Sequence, residues 1–178
     1  RFMASVPGYI YAQQGDCLYV NLFVSSTAEV KLDSGRALTV VQETGYPWDG
    51  KVKLTLTPES AGSFTIRVRV PGWARNEPIP GDLYRFVDET RESVALAVNG
   101  NSVPVAPERG YVALTRRWVK GDTVSLTLPM PVRRIAAHEL VEADRGRVAL
   151  QRGPIVYCAE WPDNPEGKVR HLLLPDTA

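Results

Sequence analysis

Alternation of apolar and polar residues in short runs sets what this chain can fold into. In KVKLTLT (51–57), Val52, Leu54 and Leu56 point one way while Lys51, Lys53, Thr55 and Thr57 point the other. SFTIRVRV (63–70) repeats the pattern with Phe64, Ile66, Val68 and Val70 against Thr65, Arg67 and Arg69. DTVSLTLP (122–129) does so with Val124, Leu126 and Leu128. Successive side chains of an extended strand leave on opposite faces, so each run offers one face to a core and one to water.

CLYVNLFVS (17–25) is apolar on both faces apart from Asn21, as in a central strand or one covered on both sides. Further strands are expected at 29–32, 37–43, 94–98, 101–105, 111–115, 132–136, 147–151, 154–159 and 171–174. Fourteen prolines and fourteen glycines separate these runs and leave little room for helix. Asn99-Gly100 is the strongest hairpin signal, because a type I′ turn needs positive φ at both central residues. Only 82–88 reads as a short helix, with Asp82 as N-cap and Leu83, Phe86 and Val87 on one face. The prediction is an all-β fold, an antiparallel β-sandwich with one short helix at most. Its body is placed at 8–131, with 132–178 either adding strands to the sandwich or opening a second β module. Ahead of it, RFMAS reads as the last turn of a helix, stopped by Pro7 and Gly8 before a strand at Tyr9–Ala12. The chain is therefore expected to be a piece of a longer one.

At 178 residues such a domain can bury roughly 70% of its unfolded surface. Twenty-one basic against 20 acidic residues leave a net charge of +1, too little field to argue for nucleic acid. No apolar run is long enough to span a membrane. Cys17 and Cys158 are too few for a disulfide framework and lack zinc spacing. Both sit in apolar runs and are expected as buried free thiols, with a single disulfide left open.

Catalytic patterns are sparse. No glycine-rich loop joins a strand to a helix, and neither His138 nor His171 has a His, Cys or carboxylate cluster around it. Carboxylates such as Asp49, Asp88 and Asp122 fall at turns, where they cap or meet water, and no converging glycosidase pair can be picked out. The aromatic residues Tyr46, Trp48 and Trp73 are candidate sugar-stacking or interdomain contacts, against packing at the sandwich ends. If 51–57 and 64–70 pair as a hairpin, Lys51, Lys53, Arg67 and Arg69 share one face. Such a face is either solvated or docks on an acidic surface of another domain.

Taken in order, VPGYIYAQQGDCLYVNLFVSS, VVQETGYPWDG, FTIRVRVPGWA, VNGNSV, GYVALTRRWVKGDTVSLTLPMPVR and GRVALQRGPIVYCAE carry a likeness. From Arg1 to about Glu160 the chain resembles the region after the catalytic barrel in glycoside hydrolase family 127, the β-L-arabinofuranosidase-like proteins. The resemblance implies a preceding (α/α)₆ barrel that ends near a Cys-Cys-Pro segment, with residues 1–7 as its tail. It implies a retaining mechanism in which a zinc-held cysteine is the nucleophile and a glutamate the acid/base. Nothing in this chain matches those motifs, so no catalytic, cofactor-binding or metal residue is carried over, and the chain alone is expected to be inactive. The parent would remove terminal L-arabinofuranose, or a related sugar, from plant glycans, and zinc would belong to its barrel.

The chain's expected role is a non-catalytic β-sandwich supporting that barrel, its main partner, with homo-oligomerisation left open. The alternative is a carbohydrate-binding module that holds oligosaccharide through exposed aromatic residues. Export of polysaccharide-degrading relatives leans the resemblance toward a bacterial periplasm or exterior.

Overall fold

The computed structural model describes residues 2–88, 90–164 and 169–175. Two single helical turns, α1 (Phe2–Ser5) and α2 (Pro7–Ile10), lead into the strands. The first half of the chain supplies β1 (Tyr11–Gln14), β2 (Cys17–Val20), β3 (Ser26–Lys31), β4 (Ala37–Thr44), β5 (Lys51–Pro58), β6 (Gly62–Arg69) and β7 (Tyr84–Phe86). The second supplies β8 (Ala95–Val98), β9 (Asn101–Val103), β10 (Tyr111–Trp118), β11 (Thr123–Thr127), β12 (Val132–Ala137), β13 (Ala149–Arg152) and β14 (Ile155–Tyr157). They form a four-stranded sheet β1-β2-β6-β10, a six-stranded sheet β3-β4-β5-β11-β8-β9 and a third sheet β14-β13-β12-β7.

The first two sheets face each other as the sandwich. Val52, Leu54 and Leu56 of β5 and Phe64, Ile66 and Val68 of β6 are buried in one shared core. Each such side chain withdrawn from water contributes about 1.5–3 kcal/mol. Trp118 at the end of β10 is fully buried, and its indole N–H donates to the Phe64 carbonyl at 3.0 Å. The pairings are antiparallel throughout except for β2, which runs parallel to β6. Asn99 and Gly100 carry the positive φ of the β8–β9 turn, 51° and 78°.

Several expectations are corrected. β5 and β6 do not form a hairpin: β5 lies between β4 and β11, and β6 between β2 and β10. Alternation marks a core face but not the partner strand, and Glu59-Ser60-Ala61 lacks the two-residue turn that would force pairing. Residues 84–86 form a strand instead of a helix. Tyr84 and Phe86 alternate with Arg85, and pairing with Ile135–Ala137 supplies the backbone partners. Pro7 opens a helical turn rather than closing one, because the first helical position needs no amide hydrogen. Residues 9 and 10 are helical as a result, and the first strand starts at Tyr11.

β2 stops at Val20. The 21–25 stretch leaves the sheet, and buried Gln42 holds it by donating to the carbonyls of Leu22 (3.2 Å) and Val24 (2.8 Å). The expected strand at 171–174 is absent: Val169–His171 is a 3₁₀ turn. Both cysteines are free, Cys17 half-buried and Cys158 exposed, so neither is the buried thiol the sequence suggests.

Candidate interdomain surface

The outer face of the β1-β2-β6-β10 sheet is built by register. Tyr19 lies beside Arg67 and Arg67 beside Ala113; Cys17 lies beside Thr65 and Thr65 beside Thr115; Arg69 lies beside Tyr111. These are the residues between the buried ones, so they point away from the core. The Arg67 guanidinium sits 5.8 Å from the centroid of the Tyr19 ring. That ring meets Tyr111 edge to face at 5.4 Å. Tyr111 Oη donates to Asn21 Oδ1 at 2.8 Å, Tyr19 Oη to Gln14 Oε1 at 3.3 Å, and the Thr65 and Thr115 hydroxyls bond at 2.8 Å. Both tyrosines are thereby fixed in place before any partner arrives.

The four cations expected together are split. Arg67 and Arg69 belong to this face, whereas Lys51 and Lys53 project from the outer face of the opposite sheet. There Lys53 pairs with Glu43 at 3.2 Å, both side chains more than half exposed, a pair worth under about 1 kcal/mol. A shallow groove of about 370 Å³ runs past Glu43, Asp49, Lys51 and Lys53 to Ser125 and Thr127.

The aromatic candidates divide as well. Tyr46 is half-buried edge to face on Phe23 at 5.4 Å. Burial raises the pKa of its hydroxyl, opposed by a hydrogen bond with Trp73 and by the Arg69 charge. Trp73, in the 3₁₀ turn Gly72–Arg75, packs against the same core. Trp48 instead stands 73% exposed. Among the described residues only its backbone is tied down, the amide to the Gly45 carbonyl at 2.9 Å and the carbonyl to Arg152 Nη1 at 2.9 Å.

Asp88 joins β7 to β12, a role the sequence did not single out. Its carboxylate accepts from the Arg134 amide and from Nε (2.9 Å) and Nη2 (2.7 Å) of the same residue. Its carbonyl accepts from Nε (3.2 Å) and Nη2 (2.7 Å) of Arg133, whose guanidinium lies 3.6 Å above the Phe86 ring. The Arg134 hydrogen bonds hold the Asp88 carboxyl below the usual range, and burial lowers the Arg133 pKa. The available signal was Arg133-Arg134 in an alternating strand, since the inward arginine needs acceptors.

Among the described residues no three His, Cys, Asp or Glu side chains converge as a metal set. His138 Nδ1 accepts from the Leu140 amide at 3.2 Å, and Cys17 and Cys158 lie on separate strands and turns. No helix among the described residues is long and apolar enough to cross a membrane.

Comparison with known proteins matches residues 17–130 to the family description "Beta-L-arabinofuranosidase, GH127 middle domain" and 132–178 to "Glycoside hydrolase family 127 C-terminal domain". β7 belongs to the first stretch yet pairs in the sheet of the second, so the two are interlocked. A non-reducing end β-L-arabinofuranosidase of Bifidobacterium longum is 37% identical over 172 residues, 93% of this chain and 23% of the relative. A solved GH127 β-arabinofuranosidase superposes with a TM-score of 0.87 at 47% identity, covering 92% of this chain and 25% of that one. A GH127 β-L-arabinofuranosidase from Geobacillus stearothermophilus T6 follows at 0.78 and 44%, with 92% and 23% covered. The chain thus spans about a quarter of the length of these relatives. It belongs to glycoside hydrolase family 127, as the interlocked middle and C-terminal domains of that family.

Proposed function

We propose that this chain is the non-catalytic support of a longer family 127 enzyme, one that releases L-arabinofuranose or a related sugar from plant glycans. Zinc and the cysteine nucleophile belong to that enzyme's catalytic barrel. The observation that carries the reading is the anchoring of the segment ahead of the sandwich. The Ile10 carbonyl accepts both the Asn21 amide (2.9 Å) and the Leu22 amide (3.3 Å), and β1 then pairs along its whole length with β2. Chain entering at Phe2 is bolted within ten residues to a sheet whose Val20 is fully buried. Reacting groups tolerate only small misplacement, so a fixed exit for the preceding chain limits how far those groups wander.

The test uses the full-length enzyme. Val20→Ala is expected to lower kcat while the enzyme stays folded. Full activity in a folded enzyme lacking the sandwich overturns the reading.

A second reading, carbohydrate binding, is favoured by the exposed Trp48 ring, whose sequence neighbour Asp49 lines a groove with Lys51, Ser125 and Thr127. Apolar sugar faces stack on such rings while hydroxyls bond the polar rim. Calorimetry of this chain with arabinose oligosaccharides separates the two. Saturable binding lost in Trp48→Ala supports the second reading, and no heat removes it.

A further inference from the structure

Resting on the support role, we infer that the outer face of the β1-β2-β6-β10 sheet is the docking surface, and that its occupant is a carboxylate-rich surface on the remainder of the family 127 polypeptide. Charge segregation carries the argument. The whole chain is balanced, 21 basic residues against 20 acidic, yet this face presents Arg67, Arg69 and Arg117 and not one Asp or Glu at its outward register positions. Among the described residues none of these three arginines has an ion pair. On the opposite sheet Lys53 has Glu43, and on the third Arg134 has Asp88. Arg67 and Arg69 stand two positions apart on the same side of β6, with Arg117 opposite Ser63 further along the face, and such like charges become favourable when carboxylates arrive.

The chemistry between the arginines suits an interface as well. Tyr19 and Tyr111 are locked edge to face and each is hydrogen-bonded. Their rotamer freedom is already spent, so a partner meets rigid aromatic area at little entropic loss. Tyrosine and arginine are the residue types that dominate binding energy at interfaces. A planar guanidinium also grips a carboxylate through two parallel hydrogen bonds, which a solvated lysine does not. The sheet's first strand is β1, so the face is continuous with the segment through which the preceding chain enters.

Cys17 makes the face measurable. It lies on that face beside Thr65, half-exposed and free, while Cys158 is exposed and free at the far end of the third sheet. Maleimide labelling, resolved by peptide mass spectrometry, is compared between the 178-residue chain and the full-length enzyme. The expected result is that Cys17 labels at least tenfold more slowly in the full-length enzyme. In the full-length enzyme, Arg67→Glu with Arg69→Glu restores the Cys17 rate that the same variant shows in the 178-residue chain, where circular dichroism checks that the variant stays folded.

Equal Cys17 rates in the two proteins overturn the proposal. So does slowing that survives the charge reversal, because the cover is then not acidic. Cys17 labelling in the 178-residue chain that slows as its concentration rises also overturns it, since the occupant is then a second copy. The labelling rate reports which face is covered whether or not the sandwich aids catalysis. Deleting the sandwich reports support whichever face is covered, so the two readings fail separately.

Discussion

The Asp88 carboxylate takes both the amide and the guanidinium of Arg134, and this pair fastens β7 to β12 across 46 positions of sequence. The joint lies where the two family domains share a sheet, and the same aspartate's carbonyl caps Arg133. The third sheet is therefore closed by one acid and two arginines.

Asp88→Asn is expected to destabilise the chain by about 2 kcal/mol, the range for hydrogen bonds to a charged group. The pH dependence has a fixed sign. The folded carboxyl titrates below its unfolded value near 4, so the unfolded state binds more protons in that window. The stabilisation is full at neutral pH and is lost as pH falls through the folded value. Urea midpoints of wild type and variant should differ at pH 7, and the difference should shrink as pH falls from about 4 through the lowered folded value. A difference that does not shrink as the native state is acidified removes the role given to the charge.

Asn99 does two jobs at the β8–β9 turn. It holds a φ of 51°, its Nδ2 donates to Asp122 Oδ1 at 2.7 Å, and its Oδ1 accepts the Thr123 amide at 2.7 Å. Burial alone would raise the Asp122 pKa, but the Val119 amide and Asn99 outweigh it and hold the carboxyl low. Asn99→Gly keeps the backbone and loses only the side-chain bonds, at a cost of about 1–2 kcal/mol. Asn99→Ala adds roughly 1 kcal/mol for a left-handed residue with a Cβ. Thermal unfolding should rank wild type above Gly and Gly above Ala, and an inverted Gly–Ala order contradicts the turn argument.

Much of the sandwich was legible because the informative residues repeat locally. Val52-Leu54-Leu56 and Phe64-Ile66-Val68 announce a half-buried strand each, and Asn99-Gly100 announces its turn. What failed was non-local. No local pattern states that β5 and β6 face each other across the core instead of pairing, and that choice alone divided the four expected cations. Tyr84-Arg85-Phe86 is too short for periodicity to separate strand from helix, and the deciding partner lies some 50 residues on. Tyr46, Trp48 and Trp73 look alike in sequence; burial by Phe23 and the core distinguishes them.

Gln42 is a polar residue at 1% exposure whose amide spans the carbonyls of Leu22 and Val24. Its Oε1 has no partner among the described residues. Gln42→Leu keeps the volume and removes that orphan acceptor, so the loss reads the two carbonyls alone, about 1–2 kcal/mol. Hydrogen exchange should accelerate at 21–25 before it does in β5 or β6. Equal acceleration everywhere makes Gln42 a plain core residue and not the clamp on this stretch.

Trp48 and Trp73 should answer oppositely to the same truncation. Trp48 is 73% exposed and, among the described residues, bound only through its backbone, so Trp48→Ala is expected to leave the stability of the 178-residue chain within ~0.5 kcal/mol. Trp73 packs on the core beside Tyr46, and Trp73→Ala is expected to cost about 2 kcal/mol from lost burial. Urea unfolding of the two variants measures both. If Trp48→Ala costs as much as Trp73→Ala, the Trp48 ring is part of the fold. It is then available neither to a sugar nor to another domain. If the asymmetry holds, a large apolar ring stands on the surface without a structural duty, and any loss of function in Trp48→Ala reports a contact made outside this chain.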